Sequence, residues 1–478
     1  MFAWLIPVIL IVSFIALLFI RAILFKPKAF TRPKPQNVTF DEEKAVKALQ
    51  QMIECKTISD RDKTLEDAAE FDKFQALLPT LFPLLHKACT LEHIGQRGLL
   101  YHLKGQSAES PTVYMAHYDV VPADEVAWQH PPFEALHENG EIWGRGTLDT
   151  KGTLCAALVA TETLLQNNFV PANDIYFAFG GDEEILGLDA PTIVDTLHQR
   201  NIRPALVLDE GGAVVENVFP GVTSPCALIG TGEKGMLNLE LSMQSLGGHA
   251  SAPPPHTVIG QLASAVSRIE NKPFPPHLSP PAAEMFDTLG RHSSFVYKLI
   301  FANLWCFKGV LNTMCKKTGG EMNALMRTTC AFTKMQGGSA LNVLASNASV
   351  NANLRLMNPD TTELAKQYLE NVINDKNIQV RIIDGNNPSP YSPSNSKGFA
   401  RVRLAIEQTW PDAIVSPYLM VACSDSRHFT KISDNVLRFS AMELSSDDRK
   451  RIHGHDERIK ETTFFDAIRF YLRIIQKS

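Results

Sequence analysis

Three apolar runs in this chain end in the same way. "TVYMAHYDVV" carries His117 and Asp119, "DIYFAFGGDEE" ends on Glu183 and Glu184, and "PALVLDEGG" carries Asp209. Each run has the β-branched and aromatic content of a buried strand. Between the first two lies "KGTLCAALVATETLLQNN", which has the length and the small, apolar face of a packed helix. Strands alternating with helices predict an α/β fold with a mostly parallel sheet. Sheets of this kind bind ligands outside the carboxyl ends of their strands. The three strand exits here carry His/Asp, Asp/Glu and Asp/Glu.

The stretch "GGDEEILG" sets three carboxylates against a buried strand. There they repel and desolvate one another. A simple turn needs only one acid and a glycine, so the cluster asks for a positive partner. Further along, "WGRGTLDTKG" supplies Asp149 and "IHGHDERI" supplies His453. Two histidines with several carboxylates and no thiolate suit divalent zinc, manganese or cobalt. One catalytic zinc needs three protein ligands; the larger set suggests two metals about 3.5–4 Å apart. One of the adjacent glutamates would then bind metal, and the other would accept a proton from metal-activated water. Taken singly, each motif has a bland reading: a capped turn for the His-x-Asp, a solvated helix start for the Asp-Glu-Glu, a surface cluster around His453.

The chain has 478 residues, enough for two domains. Its 46 Lys+Arg against 51 Asp+Glu leave a net charge of −5, with no basic stripe among aromatics, which argues against nucleic acid. Eight cysteines are scattered, none as C-x-x-C, and read as small buried hydrophobes rather than a zinc ribbon. "MFAWLIPVILIVSFIALLFI" runs to Ile20 without charge, long enough to span a bilayer. No basic residue precedes it and no A-x-A site follows, which favours a retained single-pass anchor over a cleaved signal. Arg21, Lys26, Lys28, Arg32 and Lys34 follow the span, so the positive-inside rule would keep the body cytoplasmic.

These signals divide the chain into an anchor at residues 1–21, a proline-bearing linker at 22–40, and a catalytic domain in two parts, 41–232 and 388–478. Between the parts, 233–387 reads as an inserted α+β domain: "KGMLNLELSMQ" and "ASVNANLRL" as strands, "TTELAKQYLENVIND" as a helix, "IQVRII" as a strand. Within it "FVYKLIFANLWCFKGVLNTMC" is long and apolar but broken by two lysines, and reads as a buried or interfacial helix rather than a second span.

In order, "MAHYDVVP", "WGRGTLDTKG", "GGDEEILG", "LDEGG", "GGHAS", "SDSRHF" and "IHGHDERI" resemble the co-catalytic zinc metallopeptidase family of carboxypeptidase S, aminoacylase, carnosinase and succinyl-diaminopimelate desuccinylase. The likeness runs from about Asp41 to Ser478 and is greatest to the branch of carboxypeptidase S and the N-fatty-acyl amino acid synthase/hydrolases. It implies two zinc ions, His117 and Asp209 on one, Glu184 and His453 on the other, and Asp149 bridging. It implies Asp119 as the carboxylate that orients His117, and Glu183 as general base and then acid. It makes the inserted domain a ferredoxin-like lid and dimerisation domain, with His249 stabilising an oxyanion, in a neighbouring subunit's site. Asn342 and Arg355 become candidates for holding the substrate carboxylate. Two departures stand out: Asn-Val-Leu-Ala where relatives carry Asn-Val-Ile-Pro, and Thr150 where a second acid often follows the bridging aspartate.

The resemblance implies a dizinc carboxypeptidase that releases C-terminal amino acids from short peptides. The alternative is an N-acyl amino acid amidohydrolase, to which the apolar stretch from Phe295 to Met314 would offer a greasy surface. A non-catalytic dimerisation or binding protein would have lost a ligand or the base, and none is missing. A single-metal enzyme of the H-E-x-x-H type is excluded by the absence of that motif. The resemblance also sets the body on the extracytoplasmic or lumenal side of the membrane, against the charge rule.

Overall fold

The computed structural model describes residues 5–28, 33–34 and 37–478; the first four residues of the expected anchor, and residues 29–32 and 35–36 of the expected linker with Arg32, lie outside the described residues. A mixed eight-stranded sheet organises the larger part. Its order is Cys89–Ile94, Gly98–Leu103, Asn173–Gly180, Ser107–His117, Leu206–Val215, Val436–Leu444, Cys226–Glu233 and Ile414–Met420. The four strands from Asn173–Gly180 to Val436–Leu444 run parallel, as the alternation of strands and helices predicts. The margin at Cys89–Leu103 is antiparallel. There the connection is too short for a crossover, and Gly95 takes the left-handed φ of 71° that the tight turn requires.

Both faces of the sheet are covered. Along Ser107–His117, Tyr114 and Ala116 enter the core beneath the helices Lys151–Gln166 and Glu461–Ile475, whereas Val113 and Met115 enter a second cluster with Ile193, Val194 and Leu197 of the helix Asp189–Gln199. The same alternation continues in Leu206–Val215. Leu206 and Leu208 face the first core and Val207 the second.

A four-stranded antiparallel sheet, ordered Thr329–Gln336, Asn347–Leu356, Gly235–Gln244, Gln379–Asn386, has its own core. Leu237, Leu239 and Leu241 alternate inward beneath the helices Val258–Asn271 and Thr362–Ile373. The sequence between these elements behaves differently. Helices Pro280–Gly290, Phe295–Phe301 and Leu304–Thr318 send Met285, Phe286, Leu289, Phe301 and Leu311 into the core of the large sheet. The apolar stretch read from sequence as one helix is thus two, broken at Ala302–Asn303, and it belongs to the larger part rather than to the small sheet. An exposed 20-residue apolar helix, Leu5–Leu24, packs along Phe295–Phe301 and is long enough to cross a membrane.

A candidate metal centre

The site is built from four chain segments that the parallel strands bring to one edge. His117 ends its strand opposite Gly180 in the neighbouring strand, so His117 and the turn at Glu183–Ile185 emerge side by side. Asp149 immediately precedes the helix Lys151–Gln166. His453 arrives from the far end of the sequence, because Arg458–Lys460 pairs with Glu141–Trp143. It takes a left-handed φ of 59°, uncommon for a residue with a side chain.

The two oxygens of Asp149 face the two histidines. Oδ1 lies 3.0 Å from His117 Nε2, and Oδ2 lies 3.0 Å from His453 Nε2. Glu184 Oε2 is 3.1 Å from His453 Nε2, and Glu210 Oε1 is 3.5 Å from His117 Nε2. Donor atoms of His117, Asp149 and Glu184 lie within 4.8 Å of one another, as do those of His117, Glu183 and Glu210. Two ligands on one tetrahedral ion at about 2.0–2.2 Å stand about 3.3 Å apart. The observed separations therefore fit donors that share an ion, and the oxygen and imidazole donors suit zinc-like cations.

Asp119 holds this edge together. Its carboxylate accepts from the backbone N–H of Glu183 and Glu184, at 3.2 and 3.1 Å, and from Ser59 Oγ at 2.7 Å. His117 Nδ1 lies 3.0 Å from the Asp119 carbonyl and 3.3 Å from its carboxylate. Both are acceptors, so Nδ1 carries the proton and Nε2 presents its lone pair to the centre.

Charge is out of balance here. Burial, then the charge of Asp149, pushes Glu210 up to about 8. Burial likewise raises Glu183 and Glu184. Hydrogen bonds to Asp149 and Glu184 lift His453 to about 10. Four carboxylates, those of Asp149, Glu183, Glu184 and Glu210, share two imidazoles, which is the electrostatics of a site shaped for added cations.

Asp209 lines the same small cavity as His117, Glu183 and Glu210, and Glu210 Oε1 makes the direct approach to His117 Nε2. Asp209 follows the side of Val207, toward the segment Asp425–Lys431, and accepts from Ser426 N at 3.1 Å. Glu210 lines the same cavity, at the irregularity where the register with Val436–Leu444 shifts after Asp209. The adjacent acids of "LDEGG" were visible in the sequence. Glu457 was missed. Fully buried, it accepts from Gly146 N at 3.1 Å, Leu148 N at 2.8 Å and Arg145 Nη1 at 2.7 Å, and so fixes the backbone before Asp149.

His249, Asn342 and Arg355 lie elsewhere. The two-residue strands Gly248–His249 and Val343–Leu344 pair, setting His249 opposite Val343 and beside Asn342 on an exposed edge. His249 Nδ1 accepts from Ser251 N at 3.1 Å, which leaves the proton on Nε2. Arg355, half-buried in the small sheet, donates to Cys423 Sγ at 3.3 Å. Among the described residues no hydrogen bond or ion pair joins these three to the centre.

An α/β sheet that gathers histidines and carboxylates at its strand exits defines a metal-dependent hydrolase. The chain belongs to Peptidase family M20/M25/M40, whose profile it matches over residues 113–477. It is 36% identical over 431 residues to a probable carboxypeptidase S-like 2 of Dictyostelium discoideum, covering 88% of this chain and 83% of that one. It is 34% identical over 444 residues to the N-fatty-acyl-amino acid synthase/hydrolase PM20D1 of Xenopus tropicalis, covering 92% and 86%. The crystal structure of an M20 family metallo-carboxypeptidase, Sso-CP2 from Sulfolobus solfataricus, shares the fold with a TM-score of 0.66 at 19% identity, over 90% of this chain and 98% of that chain.

Proposed function

We propose that this chain hydrolyses an amide bond next to a free carboxylate, releasing C-terminal amino acids from short peptides with two divalent cations, zinc foremost. The carrying observation is Asp149, with one carboxylate oxygen toward each histidine, the arrangement a bridging ligand needs. In this reading His117 and Glu210 hold one cation, His453 and Glu184 the other, and Glu210 takes the role the resemblance gave Asp209. Bound divalent cations supply Lewis acidity and bring the pKa of bound water toward ~7. Glu183 takes the water's proton and returns it to the departing nitrogen; its buried, upward-shifted carboxyl suits both transfers. Asp119 orients His117 and the Glu183–Glu184 turn. His249, through Nε2–H, donates to the oxygen of the attacked carbonyl. Its exposed position supports a homodimer in which this donor serves the partner's site. Asn342 and Arg355 receive the substrate carboxylate.

Within residues 233–387, the four-stranded sheet and its helices Val258–Asn271 and Thr362–Ile373 then act as lid and dimerisation domain, while the helices from Pro280 to Thr318 stay with the larger part. The helix Leu5–Leu24 is a single-pass anchor, with the body on the extracytoplasmic or lumenal side. A second reading, hydrolysis of N-fatty-acyl amino acids, is favoured by the exposed apolar side chains of Phe295, Val296 and Trp305 beside that helix. The test strips the enzyme with a chelator, restores it with zinc, and compares dipeptides with N-fatty-acyl amino acids. Activity should vanish and return with metal, and peptides should be cleaved faster. Full hydrolysis by metal-free protein overturns the metal reading; exclusive hydrolysis of the acyl substrates selects the second.

A further inference from the structure

The N-terminal helix is not a free stalk. Arg21 Nε and Nη2 donate to the Ala302 carbonyl at 3.2 and 2.9 Å, and Nε also reaches Asn303 Oδ1 at 3.1 Å. The fully buried Asn303 returns a bond from Nδ2 to the Leu18 carbonyl at 3.0 Å. Further along the helix, Phe19 packs on Phe295 and Phe14 meets the edge of Trp305, each with ring centroids 6.0 Å apart. The helical pair Phe295–Phe301 and Leu304–Thr318 therefore runs beside the helix, away from Arg21.

These contacts fix a depth. At 1.5 Å per residue, Phe14 lies about 10 Å from Arg21 and about 15 Å from Leu24 along the axis, in a hydrocarbon layer about 30 Å thick. If Leu5–Leu24 crosses the bilayer, Trp305 cannot remain in water. The composition of the pair agrees. Residues 295–318 contain no acid and four lysines, Lys298, Lys308, Lys316 and Lys317. Phe295, Val296, Trp305 and Val310 are 46%, 70%, 59% and 50% exposed. Apolar side chains with flanking cations are what an interface with anionic headgroups accepts. The bonds of Arg21 to Ala302 and Asn303 are likewise those a guanidinium near hydrocarbon must find within protein.

We propose that the helical pair Phe295–Phe301 and Leu304–Thr318 is embedded in the same leaflet as the base of the N-terminal helix, clamping the body directly onto an anionic bilayer surface. This rests on reading Leu5–Leu24 as a membrane span, and the two ideas fail differently. The full chain is reconstituted into phosphatidylcholine–phosphatidylserine vesicles carrying lipids brominated at graded acyl depths. Carbonate extraction reports on the span. The fluorescence lost in Trp305→Phe isolates Trp305 from the other tryptophans, and its quenching reports depth. The expected result is a carbonate-resistant chain whose Trp305 component is quenched most by bromines deep in the acyl chains, at the depth of Phe14. Val310→Glu should reduce that quenching while zinc-dependent hydrolysis of a soluble substrate is retained. A carbonate-resistant chain with unquenched Trp305 overturns the embedding and leaves the anchor intact. Release by carbonate overturns both. Disulfide cross-linking through the exposed Cys306, with Trp305 shielded but unquenched, assigns the surface to a second copy and overturns the bilayer.

Discussion

Replacing Glu457 by glutamine tests whether the loop that carries Asp149 is set by one buried carboxylate. The ion pair with Arg145 is 2.7 Å long, with side-chain exposures of 0% and 3%. Breaking such a pair by removing one partner costs about 3–5 kcal/mol, because the remaining charge stays buried. Arg145 keeps some support, donating to Gly454 O at 2.9 Å and lying 5.2 Å from the ring of Trp128. The low end, about 3 kcal/mol, is therefore expected. The amide oxygen of glutamine can still accept from Gly146 N and Leu148 N, but its NH2 then meets the guanidinium, donor against donor. The loop must shift, and Asp149 with it. Disturbing a group that orients ligands typically costs ~10–100-fold in metal affinity. The assay pairs urea denaturation of the metal-free chain with zinc titration against a competing dye. Adding Arg145→Met to Glu457→Met should recover only part of the single Glu457→Met loss. Without the carboxylate the N–H groups of Gly146 and Leu148 still lack an acceptor, at about 1–3 kcal/mol each. A Glu457→Gln chain within about 0.5 kcal/mol of wild type, with zinc affinity unchanged, refutes the reasoning.

Glu183→Gln should retain both metals by elemental analysis while turnover falls ~10²–10⁴-fold; near-normal turnover would move the base elsewhere. Glu210→Gln should weaken zinc binding more than Asp209→Asn, read by the same dye competition, and the reverse order would restore Asp209 as the ligand. His249→Ala should lower kcat by ~10²–10³ with metal content unchanged, and mixing it with Glu183→Gln chains should recover activity if His249 serves the partner's site; no recovery after verified subunit exchange returns His249 to its own subunit. Burial drives Lys234 down to about 7 from 10.5; the unfolded chain therefore binds more protons between those values, and stability rises with pH across that window. Lys234→Met should remove that rise, read as the difference between the two chains' unfolding free energies at each pH, and a difference flat from pH 7 to 10 would show that Lys234 titrates normally.

Three of the four central parallel strands were legible as apolar runs closed by acids; the fourth, Val436–Leu444, was not read from the sequence. The antiparallel margin was not. Cys89–Ile94 and Gly98–Leu103 are short, and their direction is set by a three-residue connection rather than by periodicity. In the centre, residue types could be read but not directions. His117, Asp149, Glu184 and His453 came together across more than 300 residues of sequence because their motifs are distinctive. Glu457 was hidden by being ordinary: an acid four residues after His453 looks like surface charge until the strand Arg458–Lys460 buries it. The two-helix break at Ala302–Asn303 was equally hidden, since Asn303 gains its partners from Leu18, distant in sequence and adjacent only in space.

Asp209 shows what a strand does with two neighbouring acids. Its carboxylate takes the amide of Ser426, whose hydroxyl lies 2.6 Å from that of Ser424, which donates in turn to Glu233 Oε2 at 3.2 Å. Glu233 is paired with the fully buried Arg438 at 2.9 Å, next to the point where the chain leaves for the small sheet. Every group on this path is buried, and the path leaves only Glu233 Oε1 and Arg438 Nη2 without a hydrogen-bond partner among its side chains. Glu210 has no such network; its neighbours are His117 and other carboxylates, and burial, then the charge of Asp149, pushes its pKa upward. The same dipeptide therefore supplies one acid whose charge is met by protein donors and one whose charge is not. A cation would supply the partner that Glu210 lacks, which is the reasoning behind proposing it as the ligand beside His117.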